Sequence, residues 1–186
     1  MPFPIRIAIT GPESSGKSVL AKLLTQNFSP ANWVPEFART YLTALPPSQA
    51  YTFSDLPLIA NAQQILENEI AKTPNIKWLF ADTEALVVKI WAQIRFGQQH
   101  PTIETIWQQQ AQQYALYLLT APDLPWQPDP LRETPLSQTR WQLFDLYKTY
   151  LTQTNRRFTI IQGEPSQSLN IAKTSIKNLS TTIRKG

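Results

Sequence analysis

The sequence predicts an α/β protein in which a five-stranded parallel sheet carries helices on both faces. Short apolar runs alternate with longer segments of helical periodicity along the 186 residues, which is the pattern of strands and crossover helices. Several of the apolar runs are hydrophobic almost throughout, as strands buried on both faces are. The first run leads through a glycine-containing turn straight into a helical segment. Together these observations favour a doubly wound sheet.

The predicted elements follow one another regularly. Strands are predicted at 4–10, 32–35, 76–81, 114–119 and 157–162. Helices are predicted at 17–27, 36–45, 54–72, 84–96, 102–113, 136–153 and 166–182. Ser54 is a candidate N-cap for the third helix. In such a sheet, ligands bind at the carboxyl ends of the strands.

The composition narrows the class of protein. A chain of 186 residues predicts a single domain, 1–186, with a core large enough to need no staples. The absence of cysteine excludes disulfides and cysteine-based sites. We see no signal peptide and no apolar stretch long enough to span a membrane, so we expect a cytoplasmic protein. The single histidine, His100, is expected to be a solvated loop residue.

The positive charge is modest and lies mainly near the C-terminus. The net charge is +4, and Glu164 is the only acid after residue 155. The basic residues of that region are Arg156, Arg157, Lys173, Lys177, Arg184 and Lys185. A nucleic-acid footprint is denser than this. We therefore predict a solvated basic helix and tail, and we do not expect nucleic acid as a partner.

The most specific motif is GPESSGKS at residues 11–18, which matches the phosphate-binding P-loop pattern GxxxxGK[ST] between a strand and a helix. Gly11 and Gly16 permit the close approach of the backbone, whose N–H groups face the phosphates. Lys17 supplies charge to the β- and γ-phosphates, and the Ser18 hydroxyl is placed for Mg²⁺. The motif predicts a nucleoside triphosphate site formed by Gly11, Glu13, Ser14, Ser15, Gly16, Lys17, Ser18 and Val19.

An acidic residue ends the third predicted strand. Asp82, Thr83 and Glu84 follow the apolar run there. Near a P-loop, Asp82 either holds Mg²⁺ or takes a proton from a substrate hydroxyl; the alternative is that Asp82 or Thr83 caps the following helix. Glu84 is expected to be a first-turn acid favoured by the helix dipole.

Two further segments contain candidate substrate residues. Glu36 and Arg39 open the helix after the second strand, and they are either a surface ion pair or the contacts for sugar hydroxyls and a phosphate. The proline-rich stretch 121–130 is predicted to begin a lid, about 121–140, over the site. Within the lid, Arg132 and Arg140 are candidates to close over a transferring phosphate. Trp126 offers an aromatic face.

The ordered motifs GPESSGKS, VPEFARTYL, FADTEALVVKIW, YALYLLTAPDLPWQPDPLRE and RWQLFDLYKTYL resemble the ribosylnicotinamide kinase domain of the NadR family. The resemblance extends over roughly residues 4–163. It implies a P-loop kinase that phosphorylates the 5′-hydroxyl of nicotinamide riboside with ATP and Mg²⁺. The chain departs from the family in two places: Glu84 stands where the family often has Asp, and residues 162–168 lack the expected arginine.

The resemblance also implies roles for individual residues. Lys17 and Ser18 would bind phosphate and Mg²⁺, and Asp82 would be a metal ligand or the base. The riboside pocket would involve Glu36, Arg39, Asp123 and Trp126, while Arg132 and Arg140 would belong to the lid. Two alternatives remain open: a kinase for another nucleoside or nucleotide, and a regulatory P-loop ATPase. Formation of a homo-oligomer is left open as well.

Overall fold

The computed structural model describes residues 3–46 and 48–183, with side chains to residue 179. Arg184 and Lys185, which belong to the predicted basic tail, lie outside the described residues. The strands are β1 (Ile5–Thr10), β2 (Ala31–Val34), β3 (Trp78–Asp82), β4 (Tyr114–Thr120) and β5 (Phe158–Ile161). The helices are α1 (Lys17–Asn27), α2 (Phe37–Ala44), α3 (Asp55–Ala71), α4 (Ala85–Phe96), α5 (Pro101–Ala111), α6 (Ser137–Gln153) and α7 (Pro165–Ile183).

The sheet is parallel throughout and has the strand order β2-β3-β1-β4-β5. This arrangement confirms the predicted five-stranded parallel sheet, and the central strands β3 and β4 are buried almost throughout, as strands covered on both faces are. Strand β1 is central, and its residue Ile9 is paired in register with Asp82 of β3. The carboxyl ends of β1 and β3 are therefore neighbours.

Two cores flank the sheet. On one face, α1 and α7 pack against side chains such as Ile7, Ile9 and Phe80. On the other face, helices α2 to α6 pack against the intervening side chains, among them Ala8, Leu79 and Ala81. The alternation follows from the two-residue period of a strand. No helix in the described part of the chain is sufficiently long and apolar to cross a membrane.

His100 differs from its expected role as a solvated loop residue. Its Nδ1 atom accepts a hydrogen bond from Thr102 N at 3.2 Å and caps α5. The half-buried ring also packs against Phe53, with 5.4 Å between the centroids. The proline at the first position of the helix leaves few N–H groups to cap, and the histidine binds one of them.

Candidate functional site

The loop between β1 and α1 has a backbone that only certain residues tolerate. Gly11 has φ 136°, Ser14 has φ 55° and Gly16 has φ 81°. A Cβ atom at Gly11 would lie 2.6 Å from both the carbonyl oxygen and the Oγ1 atom of Thr120. Glycine is therefore required where the loop passes the end of β4. The loop ends at α1, so the N-terminus of that helix adds positive potential to the site.

Two side chains of the loop fold back onto its own carbonyl groups. The Lys17 ammonium donates to Gly11 O at 2.9 Å and to Pro12 O at 2.6 Å. The Ser15 hydroxyl lies 2.7 Å from Pro12 O and 2.6 Å from Thr120 Oγ1. These bonds hold the loop against the ends of β1 and β4. They also hold the Lys17 ammonium beside Gly11 and Pro12.

The loop opens on a cavity of about 730 Å³. Residues 11–19 form its polar end. The remaining wall comes from α2, α4, α6 and residues 131–136, and its apolar and aromatic members include Leu42, Val87, Ile90, Trp91, Leu143 and Tyr147. Small-molecule sites combine such an apolar wall with a few polar groups. The cavity thus has a polar end at the loop and an apolar end opposite it.

Charged side chains lie between these two ends. Glu36, Arg39 and Arg132 line the cavity together with Lys17. Burial lowers the pKa of Lys17, and the negative charges of Glu36 and Asp82 oppose that shift. Burial also raises the pKa of Glu36, against the attraction of Lys17. The lysine and the two carboxylates therefore form one electrostatic cluster beside the loop.

Asp82 is a buried carboxylate beside the Ser18 hydroxyl. It is 1% exposed, and within the described part of the chain its Oδ1 atom has no hydrogen-bond partner. Burial raises the pKa of Asp82, while a hydrogen bond from Ser18 and the charge of Lys17 lower it. A carboxylate beside a hydroxyl fits Mg²⁺, which prefers oxygen ligands and keeps several waters. No group of three or more His, Cys, Asp or Glu side chains arranged to hold a metal occurs among the described residues.

Glu84 has a different position from the one predicted. It is fully buried and is the N-cap of α4, where its Oε2 atom accepts from Leu86 N at 2.6 Å. Its Oε1 atom accepts from the Thr10 hydroxyl at 3.0 Å. Burial raises the pKa of Glu84 to about 7. Neither Asp82 nor Thr83 is the cap, and Glu84 is not a first-turn acid, because α4 begins one residue later than predicted.

Within the predicted lid, about 121–140, residues 121–136 have no helix or strand and contact the P-loop, and we call them the lid segment; residues 137–140 already belong to α6. Gln127 N donates to Ser14 Oγ at 2.9 Å. The N–H groups of Glu133 and Thr134 donate to the Glu13 carboxylate, each at 3.1 Å to Oε2. Glu13 therefore holds the lid segment to the loop, a contact that the P-loop motif alone does not predict.

Opposite charges join the lid segment to the helices on the far side of the cavity. Arg39 of α2 pairs with Asp129 at 2.8 Å. The carboxylate of Glu133 accepts from the Tyr51 hydroxyl at 3.0 Å and lies 3.6 Å from Arg95 Nε. Trp91 Nε1 donates to the same hydroxyl at 2.9 Å. Sequence reasoning missed Tyr51, Arg95 and Glu133, because no local pattern links positions so far apart.

Four residues of the predicted lid, about 121–140, were candidates for the site, and they fall into two groups in the structure. Arg132 lines the cavity and donates to Gln127 O. Asp123, Trp126 and Arg140 do not line it. Asp123 accepts from Gly163 N at 2.7 Å, beside the loop after β5. The guanidinium groups of Arg132 and Arg140 each lie over the Trp126 ring, 5.8 Å from its centroid.

Arg140 requires a correction to its predicted place over a transferring phosphate. It is 2% exposed, and its guanidinium donates to main-chain carbonyl groups at Glu13, Ser14 and Leu124. Burial and the charge of Arg132 lower the pKa of Arg140. The side chain thus lies behind the loop and does not face the cavity.

The loop, the strand order and the adjoining cavity define a P-loop protein with the fold of nucleoside and nucleotide kinases. The chain belongs to an AAA domain family, whose model matches residues 6–167. No curated protein matches the chain.

Solved structures share this fold at low sequence identity. A NadR protein in complex with NR is 19% identical, with a TM-score of 0.69 over 87% of this chain and 46% of the other. A NadR protein in complex with NAD and AMP-PNP is 17% identical, with a TM-score of 0.67 over 91% and 48%. Thymidylate kinase from Candida albicans is 16% identical, with a TM-score of 0.67 over 95% and 92%. The chain spans about half the length of the NadR chains.

Proposed function

We propose that the chain is an ATP-dependent kinase that phosphorylates the 5′-hydroxyl of nicotinamide riboside and yields nicotinamide mononucleotide. The observation that carries the proposal is the continuity of the cavity, which runs from the P-loop past Glu36 and Arg39 to an apolar and aromatic wall. A donor triphosphate and an acceptor therefore have room side by side. The order of motifs and the shared fold with NadR proteins support this acceptor. We propose the cytoplasm as its compartment.

The donor end has the groups that phosphate transfer needs. The loop N–H groups, Lys17 and Arg132 would bind the phosphates and stabilise the charge that develops on the transferring group. Ser18 and Asp82 would hold Mg²⁺, which supplies charge neutralisation at the phosphate oxygens. The Oδ1 atom of Asp82, which has no hydrogen-bond partner among the described residues, supports this assignment.

The transfer itself exchanges one P–O bond for another. The acceptor oxygen forms a bond to the γ-phosphorus, the bond from that phosphorus to the β,γ-bridging oxygen breaks, and the leaving group is ADP. The hydroxyl proton passes to a carboxylate, and Asp82 would be that base only where it does not itself hold Mg²⁺. Glu36 lies between the loop and the apolar wall, where it would accept bonds from ribose hydroxyls. Asp123 and Trp126 have no role in this proposal, since Asp123 accepts from Gly163 N and the Trp126 ring packs on Arg132 and Arg140.

The test is a product assay with purified protein. We expect nicotinamide riboside to increase ADP release from Mg-ATP, with mass spectrometry showing nicotinamide mononucleotide. Lys17→Ala and Asp82→Asn should each lower kcat/KM by about 10²-fold or more, because each removes transition-state charge stabilisation. Lys72→Ala is the matched control, since that lysine pairs with Glu69 on the surface. If the protein binds nucleotide but phosphorylates no nucleoside, the proposal is wrong and a regulatory ATPase is the remaining interpretation.

A nucleotide acceptor is the second candidate. Arg39 and Arg95 both line the cavity on the acceptor side, where they would suit a phosphate already on the substrate. In the structure each of them has a lid carboxylate as partner. Including nucleoside monophosphates in the same assay separates the two candidates by kcat/KM.

A further inference from the structure

Every nitrogen of the Arg140 guanidinium donates to a main-chain carbonyl group, two of them in the P-loop and one in the lid segment. Nε lies 3.3 Å from Glu13 O, Nη2 lies 3.0 Å from Ser14 O, and Nη1 lies 3.2 Å from Leu124 O. A buried arginine needs such partners, because an unpaired buried charge is costly. All three partners here are main-chain carbonyl oxygens, and two of them belong to consecutive peptides of the loop.

The direction of these carbonyl groups determines where the loop donors point. In a planar trans peptide, the C=O of one residue and the N–H of the next point in opposite directions. Arg140 holds Glu13 C=O and Ser14 C=O on its own side, so the N–H groups of Ser14 and Ser15 point away from it, toward the cavity that both residues line. Ser14 has φ 55°, an unfavourable conformation for a non-glycine residue. The hydrogen bonds from Arg140 offset that cost.

We propose that Arg140 is a positioning residue of the phosphate site. It holds the Glu13–Ser14 and Ser14–Ser15 peptides so that the N–H groups of Ser14 and Ser15 face the cavity. It acts through the loop and does not contact the transferring phosphate. Its charge also lies directly behind an anion-binding turn. The inference rests on the proposed function only in that the loop binds phosphate, and the identity of the acceptor does not enter it.

Binding measurements with tripolyphosphate and ATP test this role. Isothermal titration calorimetry would compare wild type with Arg140→Lys and Arg140→Met, and melting curves without ligand would report stability. We expect about tenfold weaker binding of both ligands for the lysine variant, since lysine keeps the charge but lacks the planar fork that holds both loop carbonyl groups. The methionine variant should bind more weakly still. The loop N–H groups bind the phosphates of the ground state as well as the transferring group, so the loss should appear mainly in the KM for ATP, with a smaller loss in kcat at saturating ATP.

Arg156→Met is the matched control. Arg156 Nη1 also donates to a main-chain carbonyl, Ala111 O at 3.2 Å, but at the far end of α5. This variant should lose stability without a change in the Kd for tripolyphosphate. If it weakened phosphate binding as much as Arg140→Met, the effect would be general destabilisation and the proposal would be wrong.

Two further outcomes are decisive. An unchanged Kd with kcat lowered 10²-fold or more in Arg140→Lys would show that Arg140 acts on the transferring phosphate, which overturns the proposal. If Arg140→Met does not fold, the amide NMR signals of Ser14 and Ser15 in Arg140→Lys provide the evidence: smaller shifts on adding tripolyphosphate than in wild type support positioning, and equal shifts contradict it. A wild-type chain that binds tripolyphosphate yet phosphorylates no acceptor would overturn the proposed function alone.

Discussion

Helix α3 begins after Ser54, and at this end of the helix it is the Asp55 carboxylate that accepts the side-chain hydrogen bonds. One carboxylate oxygen of Asp55 accepts from Thr52 N at 2.6 Å and from the Thr52 hydroxyl at 2.8 Å. The other accepts from the Tyr41 hydroxyl at 2.6 Å. Because Tyr41 belongs to α2, this carboxylate joins two helices near the cavity. These hydrogen bonds lower the pKa of Asp55 from its usual 3.8.

Asp55→Asn should therefore destabilise the protein in a pH-dependent way. A pKa lower in the folded than in the unfolded chain gives stability that is present above the unfolded pKa of 3.8 and is lost as the pH falls through the folded pKa. We expect a loss of about 1 kcal/mol in the free energy of unfolding at pH 7. The difference from wild type should shrink at about pH 3. Urea denaturation at both pH values measures it, and an equal difference at both would contradict the assignment to the ionised carboxylate.

At the scale of single residues, the sequence predicted the positions of those site residues that belong to one local motif. Gly11 to Ser18 and Asp82 lie where the strand–loop–helix pattern and the acidic strand end place them. Their assigned roles stay predictions. The placement of Arg140 could not be predicted, because its partners Glu13 and Ser14 precede it by 127 and 126 positions. The sequence does not distinguish an arginine that lies behind a loop from one that faces the cavity.

At the scale of elements, hydrophobic periodicity located the helices and strands, while their ends depended on hydrogen bonds. The run predicted at 76–81 is β3, Trp78–Asp82, and the helix predicted at 84–96 is α4, Ala85–Phe96. The lid segment shows the limit of this reasoning. Its prolines fix the backbone path, but no periodicity indicates that its N–H groups meet Glu13.

Glu13→Gln should loosen the lid segment without unfolding the protein. The change removes the negative charge that two lid N–H groups share, and charge-assisted hydrogen bonds are worth about 1.5–3 kcal/mol. We expect amide hydrogen exchange in residues 127–136 to become roughly tenfold faster or more, with the melting temperature nearly unchanged. Exchange followed by mass spectrometry measures this in overlapping peptides.

Glu133→Gln is the comparison for that experiment. It keeps the main-chain donors to Glu13 and weakens the contacts with Tyr51 and Arg95. Exchange should then increase less than in Glu13→Gln, since half-exposed ion pairs contribute little. Equal exchange in wild type and Glu13→Gln would show that the carboxylate does not hold the lid.

At the scale of the whole molecule, the two ends of the sheet have different charged groups. At the amino end, buried Glu67 pairs with Arg6 at 3.0 Å and accepts from Gln110 and Tyr114, so its carboxylate is satisfied. At the carboxyl end, the Oδ1 atom of Asp82 has no partner among the described groups. The alternation of strands and helices predicted a parallel sheet. It did not predict which charged groups lie at each end of the sheet, because that depends on the strand order. The Asp82 Oδ1 atom, which no described group pairs, therefore lies at the same end of the sheet as the P-loop cavity.

Ligand-dependent melting tests whether that end binds donor and acceptor as separate partners. A ligand at 100 times its Kd stabilises the folded state by about 2.7 kcal/mol, which is about 5–10 °C for a chain of this size. We expect Mg-ATP and nicotinamide riboside each to raise the melting temperature of wild type. In Lys17→Ala the ATP shift should be lost and the riboside shift kept, because the apolar wall is built by other elements. Loss of both shifts would mean that the lysine supports the whole cavity, and a wild type that responds to ATP alone would point to a regulatory ATPase.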